Sequence, residues 1–355
     1  MERPNDLNHR FVQKLLIWHK IENKRKMPWK GINDPYKIWL SEIILQQTRV
    51  EQGLKYYENF INTFPNINAL ANAPEVEVFK LWEGLGYYSR CRNLIATAKF
   101  ISKELNGVFP SDYNSILSLK GIGPYTAAAI ASFAYSLPYA VVDGNVFRVL
   151  SRFFNIALPA DSTKGKKHFA SLAADLLPEN SPGVYNQAIM DFGATICKPA
   201  PLCNICPLNS DCQAYRYDTQ DTLPVKEKKT KVKERWFNYV VLRHEDEVLI
   251  HQRTANDIWQ LLFEFLLIES KQSQSAPFII RQLNEQYGIF TFKPVHTKQV
   301  TQRLSHQLIH FKFIYLNLEA KQQINSFEWT NIRELENLAF PKTLHQYINE
   351  EVKTA

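Results

Sequence analysis

Leu119-Lys120-Gly121-Ile122-Gly123-Pro124-Tyr125-Thr126 is the stretch on which the fold turns. Two glycines separated by one residue let a backbone come close to a ligand, and Pro124 is preset for the first turn of a helix. The opening N–H groups of that helix have no acceptor of their own and face anions. A helix capped by Ser111 precedes the stretch, and an Ala-rich one, Thr126 to Tyr135, follows it. The segment therefore reads as a hairpin between two helices that can hold a phosphate, a weak signal by itself that, on a basic chain with four clustered cysteines downstream, reads as a grip on a DNA backbone.

The same pattern extends upstream. Asp34-Pro35 supplies an N-cap and an N1 proline for a helix over Tyr36 to Val50, and Pro74 opens another over Glu75 to Glu83, ended by Gly84-Leu85-Gly86. Residues 1–217 are expected to be all-α. Composition changes after Tyr217: Lys226 to Arg235 carries six basic and two acidic residues, and 218–235 is expected to be a linker. Beyond it the apolar period turns toward two. Trp236 to Arg243 and Val248 to Arg253 flank the polar turn His244-Glu245-Asp246-Glu247 as a hairpin, and Phe263 to Ile268 and Phe311 to Leu318 read as further strands. Helices are expected at Pro277 to Tyr287, ended by Gly288, and at Pro341 to Glu350, which makes 236–355 an α+β domain.

The chain has 355 residues, 45% apolar and 22% charged, enough for two or three domains at roughly 100 to 200 residues each. With 42 Lys+Arg against 35 Asp+Glu the net charge is +7, which favours a polyanionic partner. Met1 to Arg10 lacks the apolar core of a secretory signal. Gly121 to Val142 is uncharged but is interrupted by Gly, Pro, Ser, Thr and Tyr, so it reads as a buried core segment rather than a membrane span. Secreted, membrane-spanning and disordered classes are set aside, and an intracellular, DNA-associated protein of cytoplasm or nucleoid is expected.

Cys197-x5-Cys203-x2-Cys206-x5-Cys212 places four thiols in one short loop. Four thiolates suit a tetrahedral zinc or a cubane iron-sulfur cluster, and the single C-x-x-C with outlying cysteines favours the cluster over zinc or plain buried thiols. Cys91 stands alone and reads as a small buried hydrophobe. Two carboxylates stand out. Glu42, inside Trp39-Leu40-Ser41-Glu42-Ile43-Ile44-Leu45, has apolar neighbours that would desolvate it and raise its pKa; the bland reading is an exposed residue on an amphipathic helix. Asp143 follows the extended Pro138 to Val142 run at a helix start, where the bland reading is a simple N-cap.

The chain resembles MutY-type adenine DNA glycosylases of the helix-hairpin-helix superfamily over nearly its whole length. The motifs that carry the resemblance are Trp39 through Gln46-Gln47-Thr48, Trp82-Glu83-Gly84-Leu85-Gly86-Tyr87-Tyr88-Ser89-Arg90, the hairpin, Val142-Asp143-Gly144-Asn145-Val146, Asn186-Gln187-Ala188 and the four cysteines. The first cysteine interval is one residue shorter than is usual there. The resemblance implies a hairpin-bearing six-helix subdomain over about 23–134 and a cluster subdomain from 1–22 and 135–217. It implies excision of adenine opposite 8-oxoguanine or guanine in double-stranded DNA, by a monomer carrying a [4Fe-4S] cluster. Glu42 resembles the acid that protonates adenine N7, and Asp143 the carboxylate that stabilises the cationic sugar. Tyr125 and Asn145 match orienting positions, while Arg25, Met27 and Trp29 match the wall of the adenine pocket. Gln47 and Tyr88 match residues that fill the emptied base stack. Lys120, Gly121 and Gly123 match the phosphate grip. Bifunctional relatives carry a Schiff-base lysine where this chain has Tyr125, so simple hydrolysis is expected.

Residues 236–355 resemble the family's Nudix-like domain, with a degraded metal box. Arg281, Glu285 and Gly288 remain, but Gln282 and Gln286 replace carboxylates, Ser273 replaces the upstream Glu and Leu267 the Gly. One carboxylate does not hold Mg²⁺, so the domain reads as a binding module. Leu304-Ser305-His306 matches the family's Phe-Ser-His reader of 8-oxoguanine, with Leu for Phe. Two rival classes stay open: a non-catalytic iron-sulfur damage reader, opposed by the intact Glu42 and Asp143, and a glycosylase-lyase for oxidised pyrimidines, opposed by Tyr125.

Overall fold

The computed structural model describes residues 4–227, 232–289 and 292–354. The chain opens with α1 (Pro4–Ile21), α2 (Pro35–Leu45), α3 (Val50–Thr63), α4 (Ile67–Asn72), α5 (Glu75–Trp82) and α6 (Tyr88–Glu104). It continues with α7 (Tyr113–Ser118), α8 (Pro124–Tyr135), α9 (Gly144–Phe153), α10 (Thr163–Asp175), α11 (Pro182–Thr195) and the short α12 (Gln213–Arg216). No described helix is long and apolar enough to cross a membrane.

Local chemistry accounts for the helix ends. The Asp34 side chain accepts from the N–H groups of Tyr36 and Lys37 with Pro35 beside it, and the Ser162 hydroxyl accepts from Gly165 N–H. Two expectations are corrected. The cap of α7 is Asp112, which accepts from Ser115 N–H, rather than Ser111. The helix expected through Val50 stops at Leu45; Gln47 takes a left-handed φ of 55° and α3 starts afresh at Val50.

Two compact units emerge, residues 1–72 with 93–229 and residues 73–92 with 230–355. In the first, Phe11, Leu15 and Trp18 of α1 pack with Val149, Leu150 and Phe153 of α9 and with Tyr185, Ile189 and Phe192 of α11. Cys91 is fully buried, in the second unit. The segment expected as a linker is ordered in its first half. Leu223 is buried and its carbonyl accepts from Arg152 Nε at 3.0 Å, Ala160 N–H donates to Val225 O, and Glu227 N–H to Asp161. Residues 228–231 of that expected linker lie outside the described residues.

The second unit holds a mixed sheet: β1 (Lys233–His244), β2 (Glu247–Gln252), β3 (Phe263–Glu264), β4 (Leu266–Ser270), β5 (Phe292–Arg303), β6 (Gln307–Leu318) and β7 (Glu328–Asn331). Its order is β3-β2-β1-β6-β5, with β4 paired to β1 and β7 to β2; β1 and β6 run parallel and β5 and β6 antiparallel. The expected hairpin forms, with His244 opposite Glu247. The expected strand over Phe263 to Ile268 is divided at Phe265 into β3 and β4. Helix α13 (Ala276–Tyr287), capped by the Ser275 hydroxyl and ended by Gly288 at φ 66°, lays Ile279 and Leu283 on Val240, Leu242, Ile314 and Leu316. The helix expected at Pro341 to Glu350 is α14 (Lys342–Tyr347), continued by a wider turn through Val352.

Candidate active site

Helix α2 buries Glu42 among Ile38, Trp39, Ile43 and Ile44, leaving it 7% exposed, so the amphipathic reading falls away. Burial pushes its carboxyl up to about 7; the Tyr125 hydroxyl, hydrogen-bonded to it, opposes the shift and the charge of Asp143 adds to it. Tyr125 stands at the start of α8, where the hairpin delivers it. Gly121 has φ 80°, and a Cβ there would fall 2.6 Å from Asn93 Cβ, so the turn needs glycine. Lys120 is exposed at the tip, its carbonyl held by Thr97 Oγ1 at 2.8 Å, and no side chain caps α8 after Gly123.

Asp143 is both an N-cap and a partner in this group. Its Oδ1 accepts from Val146 N–H at 2.8 Å and its Oδ2 from Asn145 Nδ2 at 2.7 Å. Burial raises its pKa; those two donors and the Arg148 charge work against the rise. The environments differ in kind. Asp143 sits on nitrogen donors that favour the carboxylate, whereas Glu42 sits in apolar side chains with one hydroxyl, an arrangement that separates a proton holder from an anion. The extended run before Asp143 is fixed by buried Asn186, which accepts from Val141 N–H and donates to Tyr139 O and Ser132 Oγ. Arg148 then joins Asn145 Oδ1 (2.8 Å) to the carbonyls of Gly193 (2.7 Å) and Cys197 (2.7 Å).

A carboxyl raised from 4.5 to about 7 lowers stability as pH rises, because the folded state holds a proton that the unfolded state has released. The favourable balance is complete below about 4.5 and is lost as pH passes about 7, on the order of 3 kcal/mol in all. Glu42→Gln is therefore expected to melt higher than the parent near pH 8, with the gap closing near pH 5. Thermal unfolding at both pH values reads this, and a gap independent of pH contradicts the buried-acid assignment.

The four loop cysteines line one small cavity together with Arg152, Asn209 and Tyr215. Arg152 donates to Cys197 Sγ at 3.6 Å, and backbone N–H groups of Leu208 and of Ala214 and Tyr215 point at the Cys206 and Cys212 sulfurs. Burial pushes the Cys203, Cys206 and Cys212 thiols up, Cys206 to about 12, and the N–H donors aimed at Cys206 and Cys212 suit sulfurs that become anionic when iron or another metal binds. Among the described residues no three His, Cys, Asp or Glu side chains close on a single point as one metal ion requires. Four thiols on one cavity are a donor set that either zinc or an iron-sulfur cluster could use.

Other expected residues are placed less simply. Met27 is half-buried, Trp29 is buried edge-on to Tyr57 with centroids 5.0 Å apart, and Arg25 is paired with Asp191, a residue the sequence reading did not single out. Gln47 is exposed in its left-handed conformation. Tyr88 is 5% exposed with its hydroxyl accepting from Gly84 N–H at 3.1 Å, so it is not free to enter a base stack; Tyr87, 40% exposed at φ 48°, is the ring that reaches solvent. In the second unit Gly84 to Ser89 and Gln302 to Gln307 line a cleft of about 540 Å³, and within it the hydroxyls of Tyr87 and Ser305 meet. Ser305 and His306 are exposed and Leu304 is half-buried.

The HhH-GPD superfamily of base excision DNA repair proteins matches residues 40–174, and the NUDIX domain family matches residues 238–350. The adenine DNA glycosylase of Buchnera aphidicola subsp. Schizaphis graminum is 32% identical over 343 residues, 95% of this chain and 97% of that one. Among solved structures, a thermostable thymine-DNA glycosylase superposes with a TM-score of 0.57 at 29% identity over 61% of this chain and all of its own. Endonuclease III in a non-covalent DNA complex superposes with a TM-score of 0.52 at 18% identity over 62% of this chain and all of its own, a likeness of fold alone.

Proposed function

The chain belongs to the adenine DNA glycosylases of base excision repair, and from that premise we propose that it hydrolyses the N-glycosidic bond of adenine paired with 8-oxoguanine or guanine in duplex DNA, without a lyase step. The observation that carries this is the buried Glu42 carboxyl bonded to Tyr125, in the field of Asp143 at the N-terminus of α9.

Adenine inside a duplex is out of reach, so the nucleotide must first leave the stack. The uncapped N–H groups at the start of α8, with Lys120, hold the backbone phosphate, while Gln47 and Tyr87, in place of Tyr88, fill the gap. Glu42, protonated near neutral pH, donates to adenine N7 and turns a poor leaving group into a neutral one. Tyr125 orients that proton through its hydroxyl. As the C–N bond lengthens, the sugar becomes cationic and the Asp143 carboxylate, aligned by Asn145, stabilises it. Water completes the hydrolysis. Tyr125 offers no amine to form a Schiff base, and Lys120 lies on the exposed side of the hairpin.

Cys197, Cys203, Cys206 and Cys212 would hold a [4Fe-4S] cluster, whose iron–sulfur bonds would cross-link the loop that Arg148 and Arg152 brace. Protein purified without oxygen is expected to contain about four irons and four sulfides per chain, and stoichiometric zinc without iron would refute the cluster. For the reaction, duplexes carrying adenine opposite 8-oxoguanine, guanine or thymine are incubated with enzyme, with and without alkali. Adenine release opposite the first two, with strand breaks only after alkali, is the expected result. Breaks without alkali together with efficient borohydride trapping would show a lyase.

A further inference from the structure

Asp191 lies on α11, fully buried, and one short segment converges on it. Its Oδ1 accepts from Arg25 Nη1 at 2.9 Å, and its Oδ2 accepts from Asn23 Nδ2 at 2.8 Å and from the Lys30 ammonium. The segment is tied to itself at the same place: Asn23 Oδ1 accepts from Arg25 N–H at 3.1 Å, and Lys30 Nζ donates to Arg25 O at 2.6 Å. These contacts bracket Arg25, Met27 and Trp29, the proposed wall of the base pocket. A carboxylate sealed from water is a costly anchor, since apolar side chains of similar size commonly hold helices as well or better. What a two-oxygen acceptor adds is a fixed direction for each donor.

One half-turn on, the same helix seats the other side of the chemistry. Gly193 approaches the cap of α9 so closely that a Cβ would lie 2.7 Å from Asn145 Cβ and 3.0 Å from its carbonyl, and its own carbonyl accepts from Arg148. We propose that Asp191 is a positioning residue for base excision: through Arg25, Asn23 and Lys30 it sets the base-pocket wall in register with the Asp143-Gly144-Asn145 cap, so that the proton donor's target and the sugar carboxylate keep their spacing. The inference rests on the adenine-excision reading above.

Full-length Asp191→Asn keeps the shape and loses the charge. Its single-turnover release of adenine opposite 8-oxoguanine at saturating enzyme is expected to fall about 100-fold, the scale of a misplacement near 1 Å. Duplex affinity is expected to stay within about threefold, since the loss lies in the bound complex. The descending limb of the pH–rate profile, set by Glu42, is expected to stay where it is. Because two stranded cations can unfold the protein, Lys30→Gln is the second variant; it leaves Arg25 on Asp191 and is expected to slow excision by about tenfold at unchanged melting temperature. The double variant is expected to be no slower than Asp191→Asn, as both act through one contact. Near-parental rates in folded Asp191→Asn or in Lys30→Gln, multiplied losses in the double variant, or a loss confined to affinity would overturn the inference while leaving the glycosylase reading intact. Failure of the parent protein to release adenine would remove that reading itself.

Discussion

In single-turnover cleavage of a duplex with adenine opposite 8-oxoguanine, Glu42→Gln is expected to release adenine at least about 100-fold and up to about 10⁴-fold more slowly than the parent while binding the duplex comparably. The amide has the carboxyl's shape and can still meet the Tyr125 hydroxyl, but it has no acidic proton. Asp143→Asn is expected to fall into the same range for a different reason. Asn also accepts from Val146 N–H, so the cap of α9 survives and only the negative charge at the sugar is removed. The parent's pH profile separates the roles. Its rate is expected to drop as pH rises through about 7, where the carboxyl of Glu42 ionises, and near-parental rates in either variant would overturn the assignment.

The residues that carry this prediction are legible in the sequence, because apolar neighbours announce the burial of Glu42 and the Val-Val-Asp-Gly-Asn run announces a cap. Residue pattern alone did not show which hydroxyl would sit on that acid, and only the family resemblance pointed to Tyr125, which lies 83 positions away along the chain and meets it only when α8 packs on α2. Asp191 was missed for a related reason. A lone Asp in an apolar helix gives no local sign that Arg25 and Lys30, far upstream, close on it.

Tertiary contacts also set boundaries that local pattern does not. Helix-forming Gln46 and Gln47 offer no stop signal, yet α2 ends at Leu45, and Gln46 Nε2 reaches Thr126 Oγ1 at 3.3 Å. Strand β5 is polar and begins with a proline near its start, so it reads poorly as a strand; the long antiparallel register with β6, from Phe292 opposite Leu318 to Arg303 opposite Leu308, supplies what its own residues lack. The order of residues 219–227 was hidden in the same way, since the partners of Leu223 and Val225 are Arg152 and Ala160. Tyr87 and Tyr88 show the finest grain of the limit: adjacent and identical, they differ only in which one the turn leaves outside.

Ser305→Ala combined with His306→Ala in the full chain is expected to lower the preference for 8-oxoguanine over guanine opposite adenine by about tenfold or more, at roughly 1 to 3 kcal/mol for each lost contact to the damaged base. Adenine release opposite guanine is expected to change little. The turn that carries both side chains is held from behind: Leu304 N–H donates to Gln307 O at 2.7 Å, Lys233 N–H to His306 O at 2.9 Å, and Arg235 reaches Gln307 Oε1 at 3.2 Å. With the backbone so fixed, the exposed imidazole, and the Ser305 hydroxyl once it leaves that of Tyr87, can read a base edge, and a hydroxyl can both donate and accept, as the exchanged pattern at N7 and O8 of the oxidised base demands. The remaining Nudix-box carboxylate, on exposed Glu285, lies 3.7 Å from Arg281. Cutting the chain near Lys226 would be a poorer test, because α5 is packed within the second unit: Lys80 Nζ donates to Leu338 O at 3.0 Å, and Phe340 N–H donates to Glu83 Oε1 at 2.9 Å. Truncation would strip that packing along with the reader, whereas the paired alanines remove only the reader. If the paired variant keeps the parental preference under single-turnover conditions at matched salt, Ser305 and His306 do not distinguish the oxidised base, and the discrimination must lie elsewhere in the chain.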